Sequence, residues 1–230
     1  MTRREQRRLA FLRVSGWEQA QMTRLAGDAS NRRYLRLTGN PDHRRAILMD
    51  ADPNTVGMQQ AFVEMASYLI AAGFSAPHIF AADLAQGFVL LEDFGDAVFA
   101  RMLVDAPAQE AALYRSAADC LAALHRQPAA KRLLQTTPDV LAKLIAPAFE
   151  WYAAKATPDN TQKAQTATVA LLATSLQRHA PQCSVTVLRD FHAENLIWLP
   201  GRKGICRVGL LDFQDAVIGH PAYDLVSLIR

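Results

Sequence analysis

The spacing of apolar residues changes twice along this chain, and those changes restrict its fold more than any other feature. Before Gly95 the pattern is mostly strand-like. The stretch QMTRLAGDASNRRYLRLTG reads as a strand, a Gly-Asp-Ala-Ser turn and a second strand. In that second strand Tyr34, Arg36 and Thr38 alternate with Leu35 and Leu37. GNPD is a turn, and RRAILMDA is a third strand. HIFAADLAQGFVLLEDFGD gives two more, joined near Gln86 and Gly87. One stretch, 58–72, has helical spacing through Met58, Phe62, Met65, Ala66 and Leu69, and Gly73 is a suitable stop.

After Gly95 three Ala- and Leu-rich stretches read as helices, at 109–126, 139–155 and 161–179. Breaks fall around 128–138 and 157–160. Strands then return at 185–188, 196–199 and 208–213. The final YDLVSLIR resembles the first turns of a helix with no stop signal, which leads us to expect an incomplete C-terminal part. The sum is an α+β chain, an antiparallel sheet followed by a mainly helical region. A chain of 230 residues can bury one large core or two modest ones.

Composition excludes several classes. With 50% hydrophobic and 20% charged residues this is a globular chain, not a disordered one. A formal net charge of +3 is too small to argue for nucleic acid, and the arginines form no continuous stripe with aromatics. Arg3, Arg4, Arg7, Arg8 and Arg13 read as a solvated helix face. Arg24, Arg32, Arg33, Arg36, Arg44 and Arg45 make the first half suited to anionic ligands. Cys120, Cys183 and Cys206 are far apart and odd in number, which fits a reducing cytoplasm. The start MTRREQRRLAFLRVSGW lacks the apolar core of a signal peptide, and no stretch is apolar for long enough to span a membrane.

The chemistry is concentrated in VLRDFHAENLIWL. Apolar runs flank Arg189, Asp190, His192, Glu194 and Asn195, and half-buried charge is costly unless it is paired or used. Asp190 and Asn195 lie five residues apart, and Asp212 ends the apolar stretch VGLLDF seventeen residues later. Asn and Asp oxygens suit a hard cation such as Mg²⁺, and a neighbouring carboxylate can accept a proton from an attacking hydroxyl. A kinase site has this order of catalytic Asp, Asn five residues on and a later metal-binding Asp. His192 reads as a hydrogen-bonding residue. Asp215 is either a second metal or substrate contact or an acid that merely follows the strand. Asp224 reads as structural, bonding backbone N–H groups near a helix start. His125 reads as a cationic partner of a helix C-terminus. Trp151 and Tyr152 read as core, with stacking on a sugar the alternative.

LRDFHAEN and GLLDFQDA resemble the aminoglycoside phosphotransferase and choline kinase superfamily, whose fold is protein-kinase-like. Within it, GDASNRRYLRL, ILMDADP, GFVLLEDFGD and DFQDAVIGHPAYDLVSLIR are most similar to bacterial anomeric sugar kinases acting on N-acetylmuramate and N-acetylglucosamine. The resemblance runs from Gly27 to Arg230. It implies a two-lobed fold, with a nucleotide lobe over 1–92 and a catalytic lobe over 93–230. It implies transfer of the γ-phosphoryl group of ATP to a hydroxyl of a small molecule, an amino sugar first. Choline, an aminoglycoside or a non-catalytic nucleotide-binding role are the alternatives. It places Asp190 as the base and Asn195 and Asp212 on Mg²⁺, with Asp215 and His192 as candidates for the acceptor or a second metal. Gly27, Asp28, Ala29 and Ser30 would cover the ATP phosphates, and Leu91, Glu92 and Phe94 would form the adenine hinge. The family sets such an enzyme in the cytoplasm, with a small hydroxyl acceptor as its partner and neither nucleic acid nor membrane.

The chain departs from that pattern twice. Leu188 stands where the family often has His, and Met49 stands about where a strand Lys would meet the phosphates. No Lys occurs before Lys131. Arg32, Arg33, Arg44 or Arg45 could supply the charge, with Arg32 and Arg33 favoured because they lie next to the turn. Without that Lys, the role of Glu64 on the helix is open.

Overall fold

The computed structural model describes residues 1–25, 32–39, 45–52, 54, 59–153, 155 and 161–229. In chain order its elements are α1 (Arg3–Val14), β1 (Gln21–Arg24), β2 (Arg33–Thr38), β3 (Ala46–Asp50), α2 (Gln59–Ala71), β4 (Ile79–Asp83) and β5 (Phe88–Glu92). Then come α3 (Phe99–Asp105), a 3-10 turn (Pro107–Gln109), α4 (Glu110–Leu124), α5 (Pro138–Lys143), a π-helix (Ala148–Ala153) and α6 (Thr161–His179). The last are β6 (Val185–Val187), β7 (Leu196–Trp198), β8 (Val208–Leu210), β9 (Val217–Gly219) and α7 (Ala222–Leu228). This is the α+β architecture expected. The chain divides into two compact units, Met1–Cys120 with Asp190–Asp215, and Leu121–Arg189 with Ala216–Arg230.

The first unit holds a five-stranded sheet in the order β1-β2-β3-β5-β4, antiparallel throughout. Ala46 and Leu48 on β3 and Phe88 and Leu90 on β5 share one face, because strand side chains alternate. Together with Leu37 they pack with Phe11, Leu12 and Trp17 from α1 and the segment after it. Met49 and Val89 point the other way and are buried too. The central strands are thus covered on both faces, which is why β5 reads as a continuous apolar run. α1 begins with a reciprocal cap, in which Glu5 N–H donates to Thr2 Oγ1 at 3.2 Å and Thr2 N–H to the Glu5 carboxylate at 2.6 Å.

Arg4 and Arg8 correct the reading of α1 as a wholly solvated basic face. Arg4 Nε donates to Asp50 Oδ1 at 2.8 Å, its guanidinium lies 3.9 Å over the Phe88 ring, and Arg8 reaches Asp50 Oδ2 at 3.3 Å. Asp50 is buried at the end of β3, so these two charges balance its own. Later in this unit β7 and β8 form an antiparallel pair, Leu196 opposite Leu210. β8 ends at Leu210 rather than continuing to 213, because Asp212 takes φ +55° and leaves the strand. α3, at two turns, is too short to have given a periodic signal and was not expected.

In the second unit β6 pairs with β9, a strand also not expected. The helix expected over 139–155 is broken into α5 and the π-helix, since Pro147 cannot supply the N–H that a continuous helix needs. Trp151 and Tyr152 are 73% and 81% exposed, so they are not core. His125 is half-buried, and burial pushes its pKa down, which disfavours the charged form that a helix C-terminus would attract. Asp224 is fully buried and accepts from the backbone N–H groups of Leu188 at 2.7 Å and Arg189 at 2.8 Å. It is structural, as expected, although it bonds the end of β6 rather than its own helix. Among the described residues no helix is long and apolar enough to cross a membrane.

Candidate active site

Asp190, His192, Asn195, Asp212, Asp215 and Arg32 all belong to the first unit. The loop from Asp190 to Asn195 is a set of backbone turns. His192 N–H donates to Asp190 O at 3.1 Å, and Asn195 N–H to His192 O at 2.9 Å. The Asn195 amide closes the loop, because Nδ2 donates to Asp190 O at 3.0 Å and lies 3.2 Å from His192 Nε2. His192 Nε2 acts as an acceptor there, which fits the hydrogen-bonding role read from the sequence. Asp190 and Phe191 make a pair in which the polar side chain is half-buried and the next ring is buried. Asp212 and Phe213 repeat it, and Phe213 stacks on Phe62 of α2 with centroids 4.9 Å apart. Each ring fixes the backbone from which its neighbouring carboxylate projects.

The register of β7 and β8 brings Asp212 to Asn195. Leu211 N–H donates to the backbone Asn195 O at 3.0 Å, which brings the two chain segments together one residue before Asp212. Gln214 Nε2 donates to Asp212 Oδ1 at 2.7 Å and approaches Asp215 Oδ2 at 3.4 Å. Arg32 Nη1 lies 3.7 Å from Asp212 Oδ1. An amide oxygen and a carboxylate so placed are a donor set for a hard divalent cation, which takes few protein ligands and fills its shell with phosphate and water oxygens. The residues present therefore fit Mg²⁺. Among the described residues no group of three or more His, Cys, Asp and Glu side chains could hold a metal, and none is needed for this mode.

The remaining expected residues fall as follows. Leu91 is buried in β5. Glu92 N–H donates to His78 O at 2.8 Å, so that backbone donor is already engaged. Phe94 is half-buried against Gly209 of β8, where an added Cβ would come within 2.9 Å of its ring. Arg33 is exposed at the start of β2. Glu64 is exposed on α2 and accepts from Gln60 Nε2 at 2.7 Å. Gly27, Asp28, Ala29 and Ser30, like Arg44, lie outside the described residues. Leu188 is buried, and its backbone is tethered by Asp224 as described above.

Sequence reading missed the ionic ties around the hinge. Arg36 Nε meets Asp93 Oδ2 at 2.9 Å and its Nη1 meets Asp96 Oδ1 at 2.9 Å. Arg202 bonds the Glu92 carboxylate, donates to Ser75 Oγ at 2.7 Å and lies 5.0 Å over the Phe94 ring. Arg202 is 110 residues from Glu92, and no local pattern could reveal that pair.

Comparison with known proteins shows the family and the fold. The model of the phosphotransferase enzyme family matches residues 21–230. A protein of Caulobacter vibrioides named N-acetylmuramate/N-acetylglucosamine kinase is 37% identical, over 99% of this chain and 71% of its own length. A protein of the same name from Pseudomonas aeruginosa is 32% identical, over 94% of this chain and 62% of its own. The choline kinase LicA from Streptococcus pneumoniae shares the fold, with TM-score 0.65 at 14% identity, over 98% of this chain and 74% of that one.

Proposed function

The chain belongs to the phosphotransferase enzyme family, and from that premise we propose that it moves the γ-phosphoryl group of ATP to a hydroxyl of an amino sugar of the N-acetylmuramate or N-acetylglucosamine type. The observation that supports the reading is the backbone bond from Leu211 N–H to Asn195 O, which brings the chain one residue before Asp212 to the end of the Asp190 loop. The acceptor class rests on the names of the two bacterial relatives. Under this reading Asp190 orients the acceptor hydroxyl and takes its proton. Asn195 Oδ1 and the Asp212 carboxylate hold Mg²⁺, which when bound supplies neutralisation of charge on the phosphates. Asp215 or His192 faces the acceptor or a second metal. The turn Gly27 to Ser30 covers the phosphates, and Leu91, Glu92 and Phe94 border the adenine. Glu92 N–H is bonded to His78 O, so the Glu92 backbone donor is not the group that meets adenine.

We assign residues 1–92 to the nucleotide lobe and 93–230 to the catalytic lobe, in the cytoplasm. The contact-based units are drawn otherwise, but they keep Arg32, Asp190, Asn195 and Asp212 in one body. The test is Mg²⁺-dependent ATP consumption by the purified chain with N-acetylmuramate, N-acetylglucosamine, choline and aminoglycosides. The expected result is turnover with an amino sugar. Asp190→Asn should lower kcat by about 10²- to 10⁴-fold and leave Mg·ATP affinity nearly unchanged. Turnover only with choline or an aminoglycoside overturns the acceptor class. Tight nucleotide binding without any turnover points to a non-catalytic module.

A further inference from the structure

After β8 the chain runs through Asp212, Phe213, Gln214 and Asp215. Phe213 is fully buried and stacked on Phe62, which fixes the backbone between the two carboxylates. Gln214 is buried as well, at 7% exposure, although glutamine is ordinarily a surface residue. Its Nε2 donates to Asp212 Oδ1 at 2.7 Å, and the same nitrogen lies 3.4 Å from Asp215 Oδ2. One neutral donor thus spans two groups of like charge.

The chemistry of the carboxylates decides which end of the amide faces them. Ionised carboxylates only accept, so the end toward both must be the NH₂. Among the described residues the other end, Oε1, is buried with no hydrogen-bond partner. Leaving such an oxygen unsatisfied costs about 1–3 kcal/mol, a cost that an apolar side chain of similar size would not carry. Packing alone therefore does not call for glutamine here, whereas the two carboxylates do. The Asp212 side chain is 35% exposed, so its surroundings do not hold it in one orientation by packing. Arg32 Nη1 also approaches Asp212 Oδ1, but 3.7 Å is beyond hydrogen-bonding distance. Among the described residues it is the Gln214 amide that grips this carboxylate at hydrogen-bonding distance.

We propose that Gln214 is a positioning residue of the metal site, its amide holding the Asp212 carboxylate in the orientation that takes Mg²⁺ and keeping Asp215 beside it. This rests on the reading of Asp212 as a metal ligand. Groups that hydrogen-bond a metal-binding side chain contribute about 10- to 100-fold in metal affinity. The deciding measurement is Mn²⁺ binding to the full chain saturated with ADP, followed by paramagnetic resonance, with calorimetry of ADP in EDTA alongside. Gln214→Met should weaken Mn²⁺ by about 10- to 100-fold and leave ADP affinity in EDTA unchanged. Unchanged Mn²⁺ affinity overturns the assignment. An equal loss of ADP affinity in EDTA also overturns it, since Gln214 would then only support the fold. If Gln214→Met does not fold, Gln214→Asn decides. Its amide is one methylene shorter and loses the bridge, so Mn²⁺ should weaken by about a few-fold with ADP in EDTA unaffected. Mn²⁺ affinity equal to wild type would refute the role. Asp212→Ala with wild-type Mn²⁺ affinity defeats the metal-site reading itself, not merely this residue.

Discussion

Asp212 and Arg189 carry side chains at φ +55° and +74°, where a β-carbon meets the carbonyl and costs about 1–2 kcal/mol. One is the candidate metal ligand and the other immediately precedes the candidate base; the third described non-glycine residue of this kind, Arg132 at φ +66°, lies in a turn far from them in sequence. His125 shows a different residue-scale cost. Its Nε2 is buried without a hydrogen-bond partner among the described residues, and burial lowers its pKa from the ordinary 6.5. The neutral ring is therefore favoured in the folded chain. Below the ordinary value the unfolded chain binds more protons than the folded one, so stability falls with falling pH. The stabilisation is complete above the ordinary value and is lost as pH drops toward the lowered one. Melting followed between about pH 7 and pH 5 should show a declining midpoint, and His125→Gln should make that decline shallower. Parallel profiles for the two proteins would show that His125 does not contribute.

At the scale of elements, β8 links Phe94, through Gly209, to the candidate site, through the Leu211 N–H bond to Asn195 O. Gly209 lets the strand pass under Phe94, whose Cδ2 and Cε2 lie 2.9 and 3.1 Å from where a β-carbon would stand, with Leu199 Cδ1 at 3.1 Å. Gly209→Ala should destabilise the chain by about 1–3 kcal/mol through overpacking. It should also raise KM for ATP more than it lowers kcat if the ring it displaces borders the adenine, as proposed. Adding Phe94→Leu should recover part of the lost stability, and strictly additive melting shifts would mean that the two residues do not touch. The sequence made such elements legible where the signal was local. The helical spacing of Phe62, Met65 and Leu69 marked α2, and the spacing of Asp190, Asn195 and Asp212 marked the candidate site. Short elements such as α3 gave too few turns to show a period. Asp50, Asp93 and Glu92 find their arginines across long loops, so their pairing is a property of the folded sheet. Met49 exposed the missing lysine, and only folding distinguishes the buried Arg32 from the exposed Arg33.

For the whole molecule, the groups assigned to nucleotide and metal fall in one compact unit, while α6 in the other has no buried side chain among its 19 residues. Ligand binding stabilises most those local structures whose opening would destroy the site. Amide hydrogen exchange can therefore map the site without any turnover. Three amides report on it directly: Glu92 bonded to His78 O, Asn195 to His192 O, and Leu211 to Asn195 O. With Mg·ADP at a hundred times its Kd, exchange at these amides should slow by up to about 100-fold, corresponding to roughly 2.7 kcal/mol. Segments 88–96 and 190–213 should carry the protection. Residues 161–179 should exchange equally with or without nucleotide, because none of the residues assigned to the ligand lies on that helix. Protection centred on 161–179, with 190–213 unchanged, would move the nucleotide site away from Asn195 and Asp212.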